Sequence, residues 1–151
     1  MLEFKDHESI KFVFIGEGAR KKEVVEFQEQ HNLSNVRIMG YQPMDRLVES
    51  LSAADIHFIS LDDGFGGMVV PSKVFGVLSV GRPIVFQGSV DSEISKMLAD
   101  HDCGVQVEIG DQTGVTNAIR NYADDRDRTQ QHSQQAWNCL LYTSPSPRDR
   151  G

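Results

Sequence analysis

Short runs of β-branched and aromatic residues recur along this chain, each followed by about ten residues with apolar positions at helical spacing. A tight hairpin cannot join parallel strands; they need a crossover of a dozen or more residues, usually a helix. The alternation therefore predicts an α/β fold with a doubly wound parallel sheet and helices on both faces. Strands are expected at Lys11–Ile15, Asn35–Met39, Ile56–Leu61, Pro83–Phe86 and Val105–Val107, the first of them (KFVFI) buried. Helices are expected at Lys21–His31, Met44–Ala53, Ser72–Val80, Asp91–Asp100 and Gln112–Tyr122, with a weaker one from Arg126 to about Trp137. Leu47, Val48 and Leu51 would form the apolar stripe of the second helix.

Composition narrows the function classes. At 151 residues and 39% hydrophobic the chain can build one ordinary core. Fifteen basic against 22 acidic residues give a net charge of −7, which disfavours nucleic-acid binding through overall charge. No apolar run approaches a membrane span, and MLEFKDHESIKF lacks a signal-peptide layout. Cys103 and Cys139 define neither a disulfide framework nor a zinc set. Cys103 reads as an inert buried thiol, since no basic group lies near it in sequence. The five histidines show no ligand spacing, and Asp62-Asp63 reads as a solvated pair, so no metal is expected.

In a parallel sheet, ligands sit beyond the carboxyl ends of the strands. That singles out the loops Gly16–Lys22, Gly40–Pro43 and Asp62–Lys73. Gly64, Gly66 and Gly67 in the third loop permit close backbone approach. Pro71, Ser72 and Lys73 then open a helix, where exposed N–H groups and a lysine suit a diphosphate. The spacing alone fits a tight turn with a solvated lysine equally well. A P-loop is absent, and Gly16-Glu17-Gly18 is too short for a dinucleotide fingerprint. Glu93 opens a helix after the Gly88 turn and reads from its position as an ordinary first-turn acid.

The ordered set FVFIGEG, NVRIMGY, DRLVESLSAADIHFISL and VVPSKVFGVLSVGRPIVFQG resembles the C-terminal, nucleotide-sugar-binding half of family-4 glycosyltransferases with the GT-B fold. The Pro71-Ser72-Lys73 and Gly76 pattern is similar to members that build bacterial surface polysaccharides. The resemblance covers residues 10–125. It implies an incomplete Rossmann-like domain, hexosyl or N-acetylhexosaminyl transfer from a UDP- or GDP-sugar, and no cofactor. It implies a glycan or lipid-linked acceptor held by an N-terminal domain outside this chain. A cytoplasmic location follows, with peripheral contact at the inner membrane face open to the parent. Donor contacts carried over are Gly16, Gly18, Gly40, Tyr41, Gly66, Gly67, Pro71, Ser72, Lys73 and Glu93; no catalytic residue is assigned. The two glutamates that many relatives space E-x7-E fall here on Met68 and Gly76, so the ribose contact has no owner. On this basis the parent is the enzyme, and the chain alone is expected to be inactive.

Cys139–Asp149 (CLLYTSPSPRD) resembles a translated sequencing-library adapter. The natural sequence is therefore expected to stop near Asn138 and residues 139–151 to form a disordered artefactual tail; whether Met1 is a true start stays open, since a strand begins almost at once. Two alternatives stay open: a receiver-like or regulatory α/β domain, for which Asp62 after the third strand would be the phosphoacceptor, and a GT-B-related sugar-nucleotide epimerase.

Overall fold

A computed structural model describes residues 1–18, 20–61 and 72–143. They fall into two compact units, Met1–Ser50 and Leu51–Gly151. In the first unit β1 (Phe12–Ile15) and β2 (Val36–Met39) run parallel, with Phe12 opposite Val36 and Ile15 opposite Met39. The crossover between them is α1 (Lys21–His31), closed by Asn32 in the left-handed region at φ 52°. A 3-10 turn at Leu2–Phe4 buries Phe4, whose carbonyl accepts from Asn35 Nδ2 at 2.9 Å. That bond ties the N-terminal residues to the start of β2.

β1 is not the buried strand its composition suggests. Val13 is 52% exposed and Ile15 42%. The crossover helix explains part of this, because α1 has no buried residue and leaves Val24, Val25 and Phe27 half-buried. The second predicted helix is also shorter than its pattern. A 3-10 turn at Met44–Arg46 leads into α2 (Leu47–Ser52). Leu51 packs onto core residues, whereas Leu47 and Val48 are exposed. Six residues make fewer than two turns, too few to present the whole stripe to one surface.

In the second unit β3 (His57–Ser60), β4 (Ile84–Gln87) and β5 (Gly104–Val107) are parallel, with β4 central. Alternate side chains of β4 feed different cores. Ile84 and Phe86 meet Val74, Val77 and Leu78 of α3 (Ser72–Ser79), and Ile94 and Leu98 of α4 (Glu93–His101). Val85 and Val107 meet Ala118 and Tyr122 of α5 (Gln112–Asp124). Helices thus cover both faces, as double winding requires. The five strands among the described residues pair as a set of two and a set of three. Nothing in their sequences marks that division.

Gly81 closes α3 at φ 66°, its N–H donating to Leu78 and that of Arg82 to Val77. This left-handed ending needs glycine and turns the chain into Pro83. The last helix, α6 (Arg126–Thr143), runs past Trp137. Ala136 and Cys139 are fully buried in the α3–α4 core, with Leu140 packed beside them. A disordered tail beginning at Cys139 is therefore corrected for residues 139–143, which are helical, with Cys139 and Leu140 continuing the buried stripe of α6. The rest of that tail lies outside the described residues. No described helix is long and apolar enough to cross a membrane.

Candidate functional site

Because β1 and β2 are parallel and in register, the loops leaving their carboxyl ends lie side by side. Gly16 donates its N–H to the Met39 carbonyl at 3.1 Å and takes φ 138°, a conformation that favours glycine. Glu17, next in the chain, bridges the two loops. Its carboxylate accepts from Lys21 Nζ at 2.8 Å and lies near the Tyr41 backbone N–H. A Cβ on Gly40 would stand 2.9 Å from Glu17 Oε1. The Lys21 hydrogen bond, then its charge and the Tyr41 N–H, hold the Glu17 carboxyl below the usual carboxylate range. Open space surrounds Gly18, and the Tyr41 side chain is exposed. The predicted residues Gly16, Gly18, Gly40 and Tyr41 are thus gathered at one end of the β1–β2 pair. Sequence reasoning passed over Glu17 as an organiser. Its signal was a glutamate four residues before a lysine at a helix start.

In the second unit Ser72 and Lys73 open α3, with Lys73 exposed. Gly66, Gly67 and Pro71, together with Asp62, lie outside the described residues. The His57 ring bonds the Leu51 carbonyl at 2.8 Å. Burial pushes its pKa down, and the charges of Lys73 and Arg82 act in the same direction against the hydrogen bond. Arg82 also donates to the Ser52 carbonyl at 2.9 Å, which satisfies the end of α2.

The β4–α4 loop is held by hydroxyls. Ser92 caps α4, accepting from the Ser95 N–H at 3.2 Å, and Ser95 Oγ donates to the Ser89 carbonyl at 2.6 Å. A side chain at Gly88 would strike the Phe86 ring. Glu93 is the first residue of α4, exposed and 3.8 Å from Lys96. That is the geometry of an ordinary first-turn acid beside an i,i+3 lysine. Chemically, the second unit offers a helix N-terminus with a cation on its first turn, which suits an anion. Among the described residues no three His, Cys, Asp or Glu side chains group as a metal site.

Residues 2–125 match the family described as Glycosyl transferases group 1. The chain belongs to that family. Over 113 residues this group 1 glycosyl transferase chain is 26% identical to "Probable glycosyltransferase WbjE" of Pseudomonas aeruginosa, covering 75% of this chain and 28% of that protein. The crystal structure of TarM from S. aureus superposes at a TM-score of 0.77 with 17% identity, covering 99% of this chain and 29% of TarM. Anabaena HepE in complex with UDP-glucose gives 0.71 at 13% identity, over 89% of this chain and 37% of HepE. The chain therefore spans less than a third of WbjE and of TarM. At these identities the solved structures establish the fold, a partial Rossmann-like α/β domain of the GT-B type. Family membership displaces the receiver-like alternative.

Proposed function

We propose that the chain is the donor-binding part of a family-4, PSK-type glycosyltransferase of bacterial surface-polysaccharide synthesis. In this reading the parent moves a hexosyl or N-acetylhexosaminyl group from a UDP- or GDP-sugar to a glycan or lipid-linked acceptor. It does so on the cytoplasmic side, without a metal or other cofactor, and in peripheral contact with the membrane. The observation that carries the reading is the side-by-side placement of the Gly16–Gly18 and Gly40–Tyr41 loops beyond two parallel strands in a chain of this family. Crevices there are where such sheets take nucleotides. HepE crystallised with UDP-glucose and TarM with UDP support the choice of ligand class.

Gly16, Gly18, Gly40 and Tyr41 are the proposed nucleotide contacts of the first unit, and Gly66 and Gly67 stand as donor contacts on the family resemblance alone. Pro71, Ser72 and Lys73 would present the α3 N-terminus to the diphosphate, and Glu93 would face the sugar. Leaving-group charge is then stabilised by Lys73 and the helix dipole. The test is Lys73→Ala in the complete parent enzyme. A charge-assisted contact is worth roughly 1.5–3 kcal/mol, so donor affinity should fall about tenfold to a hundredfold. Unaltered affinity would return Lys73 to the role of a solvated lysine.

A further inference from the structure

We infer that Glu17 is a positioning residue: it locks the Gly40–Tyr41 turn against the Gly16–Gly18 loop, and Gly40 is small because that carboxylate occupies the space a side chain would need. The inference rests on the donor-site reading above and deepens it. Three observations meet at one carboxylate. Lys21 Nζ lies 2.8 Å from Oε1, a Cβ on Gly40 would come within 2.9 Å of Oε1, and the Tyr41 N–H is near enough to act on the same group. The carboxylate therefore joins residue 17 to the first residue of α1 and to the turn after β2.

A bare carboxylate beside a nucleoside diphosphate would repel it. Here Lys21 balances the charge, and the Tyr41 N–H adds a favourable dipole beside the same carboxylate. Glu17 is thus a strut and not a ligand. Its effect on a bound nucleotide passes through where it holds the Gly40 and Tyr41 backbone. Preorganising that backbone reduces the ordering cost of binding.

Gly40 does not adopt a positive φ that would itself demand glycine. An alanine there meets only the tip of a flexible side chain, so it displaces the carboxylate more readily than it disturbs the fold. Gly40→Ala and Glu17→Ala should accordingly break the same link, and their effects should not add.

The experiment is a cycle in the 151-residue chain, with UDP and GDP as probes and the Tyr41 amide resonance as a ligand-free readout. Glu17→Ala should move the Tyr41 amide towards the position of a water-exposed N–H and weaken nucleotide binding about three- to tenfold, an exposed charged pair being worth less than a buried one. Gly40→Ala should do the same with an almost unchanged melting midpoint. Combining it with Glu17→Ala should add little. Glu17→Gln, which keeps an acceptor, should restore most of the affinity. An unmoved Tyr41 amide in Glu17→Ala, or additive losses in the double variant, would overturn the strut. So would unchanged affinity alongside a moved amide. If the unsubstituted 151-residue chain binds neither nucleotide while the amide responds as expected, the donor-site reading fails and the loop-to-loop link survives it.

Discussion

His132 lies buried, its Nδ1 2.7 Å from the Tyr122 hydroxyl and its Nε2 3.5 Å from Asp102. The neutral ring fits this setting, accepting from Tyr122 and turning its Nε2–H towards Asp102. Burial lowers its pKa, Asp102 opposes that shift, and Arg128 adds to it. The folded pKa is thus below the ordinary 6.5, so the unfolded chain binds the proton first as pH falls. Stability should be full above about pH 6.5 and decline from there towards the folded pKa, and His57 contributes in the same sense. Denaturant unfolding at pH 8 and pH 5 checks this. His132→Gln should flatten part of the slope, and an unchanged slope would contradict the assignment. None of this was legible in the sequence, because Tyr122 and Asp102 stand 10 and 30 residues away and only the fold joins them. Gly104 is a second such residue. A Cβ there would collide with the Ile84 carbonyl oxygen and crowd Leu98. Gly104→Ala should cost at least about 2 kcal/mol, because backbone and core must both yield. The melting midpoint should drop by roughly 5–10 °C.

Among the elements, α1 matches its predicted span of Lys21–His31, and α3 stops one residue before the predicted Val80. Both carry strong local signals: apolar residues at helical spacing in α1, and in α3 a glycine that closes the helix. β1 and α2 were legible as strand and helix but not in burial, since exposure depends on what packs against them. α6 was underestimated because its polar first half hides the stripe that ends in Ala136 and Cys139. Resemblance to a translated adapter concerns where those residues come from; their burial follows from side-chain size and spacing. Truncation after Asn138 removes the buried Cys139 and the packed Leu140. It should lower stability by about 1–2 kcal/mol, a fall of roughly 2–8 °C in the melting midpoint. A midpoint unchanged by truncation would mean that the helix end does not pack.

At the scale of the whole molecule, the chain spans 28% of the length of WbjE. Glycosyl transfer needs an acceptor hydroxyl held in line with the anomeric carbon. The residues proposed for the donor serve the departing diphosphate, and no described residue is placed as a base for the acceptor. The 151-residue chain should therefore transfer no sugar from UDP-, GDP- or ADP-sugars to added glycan acceptors, and robust turnover would place the acceptor machinery here after all. With a net charge of −7, any nucleotide affinity must come from local groups, and should weaken as salt screens Lys73. The family and its parallel strand pairing were legible from ordered glycines and strands, whereas the separation of the described strands into a pair and a triplet was not. The β1–β2 loop pairing was legible only in outline, since the Glu17 bridge needs three dimensions.

The most direct test of the donor site is a nucleotide titration of the isotopically labelled chain, following backbone amides with UDP and GDP. Saturable shifts are expected at Gly16, Gly18, Gly40, Tyr41 and Lys73, and Lys73→Ala should weaken the binding without erasing the fold. Absence of shifts at these amides at millimolar nucleotide, or shifts confined to the Asp102–His132 surface, would contradict the donor site.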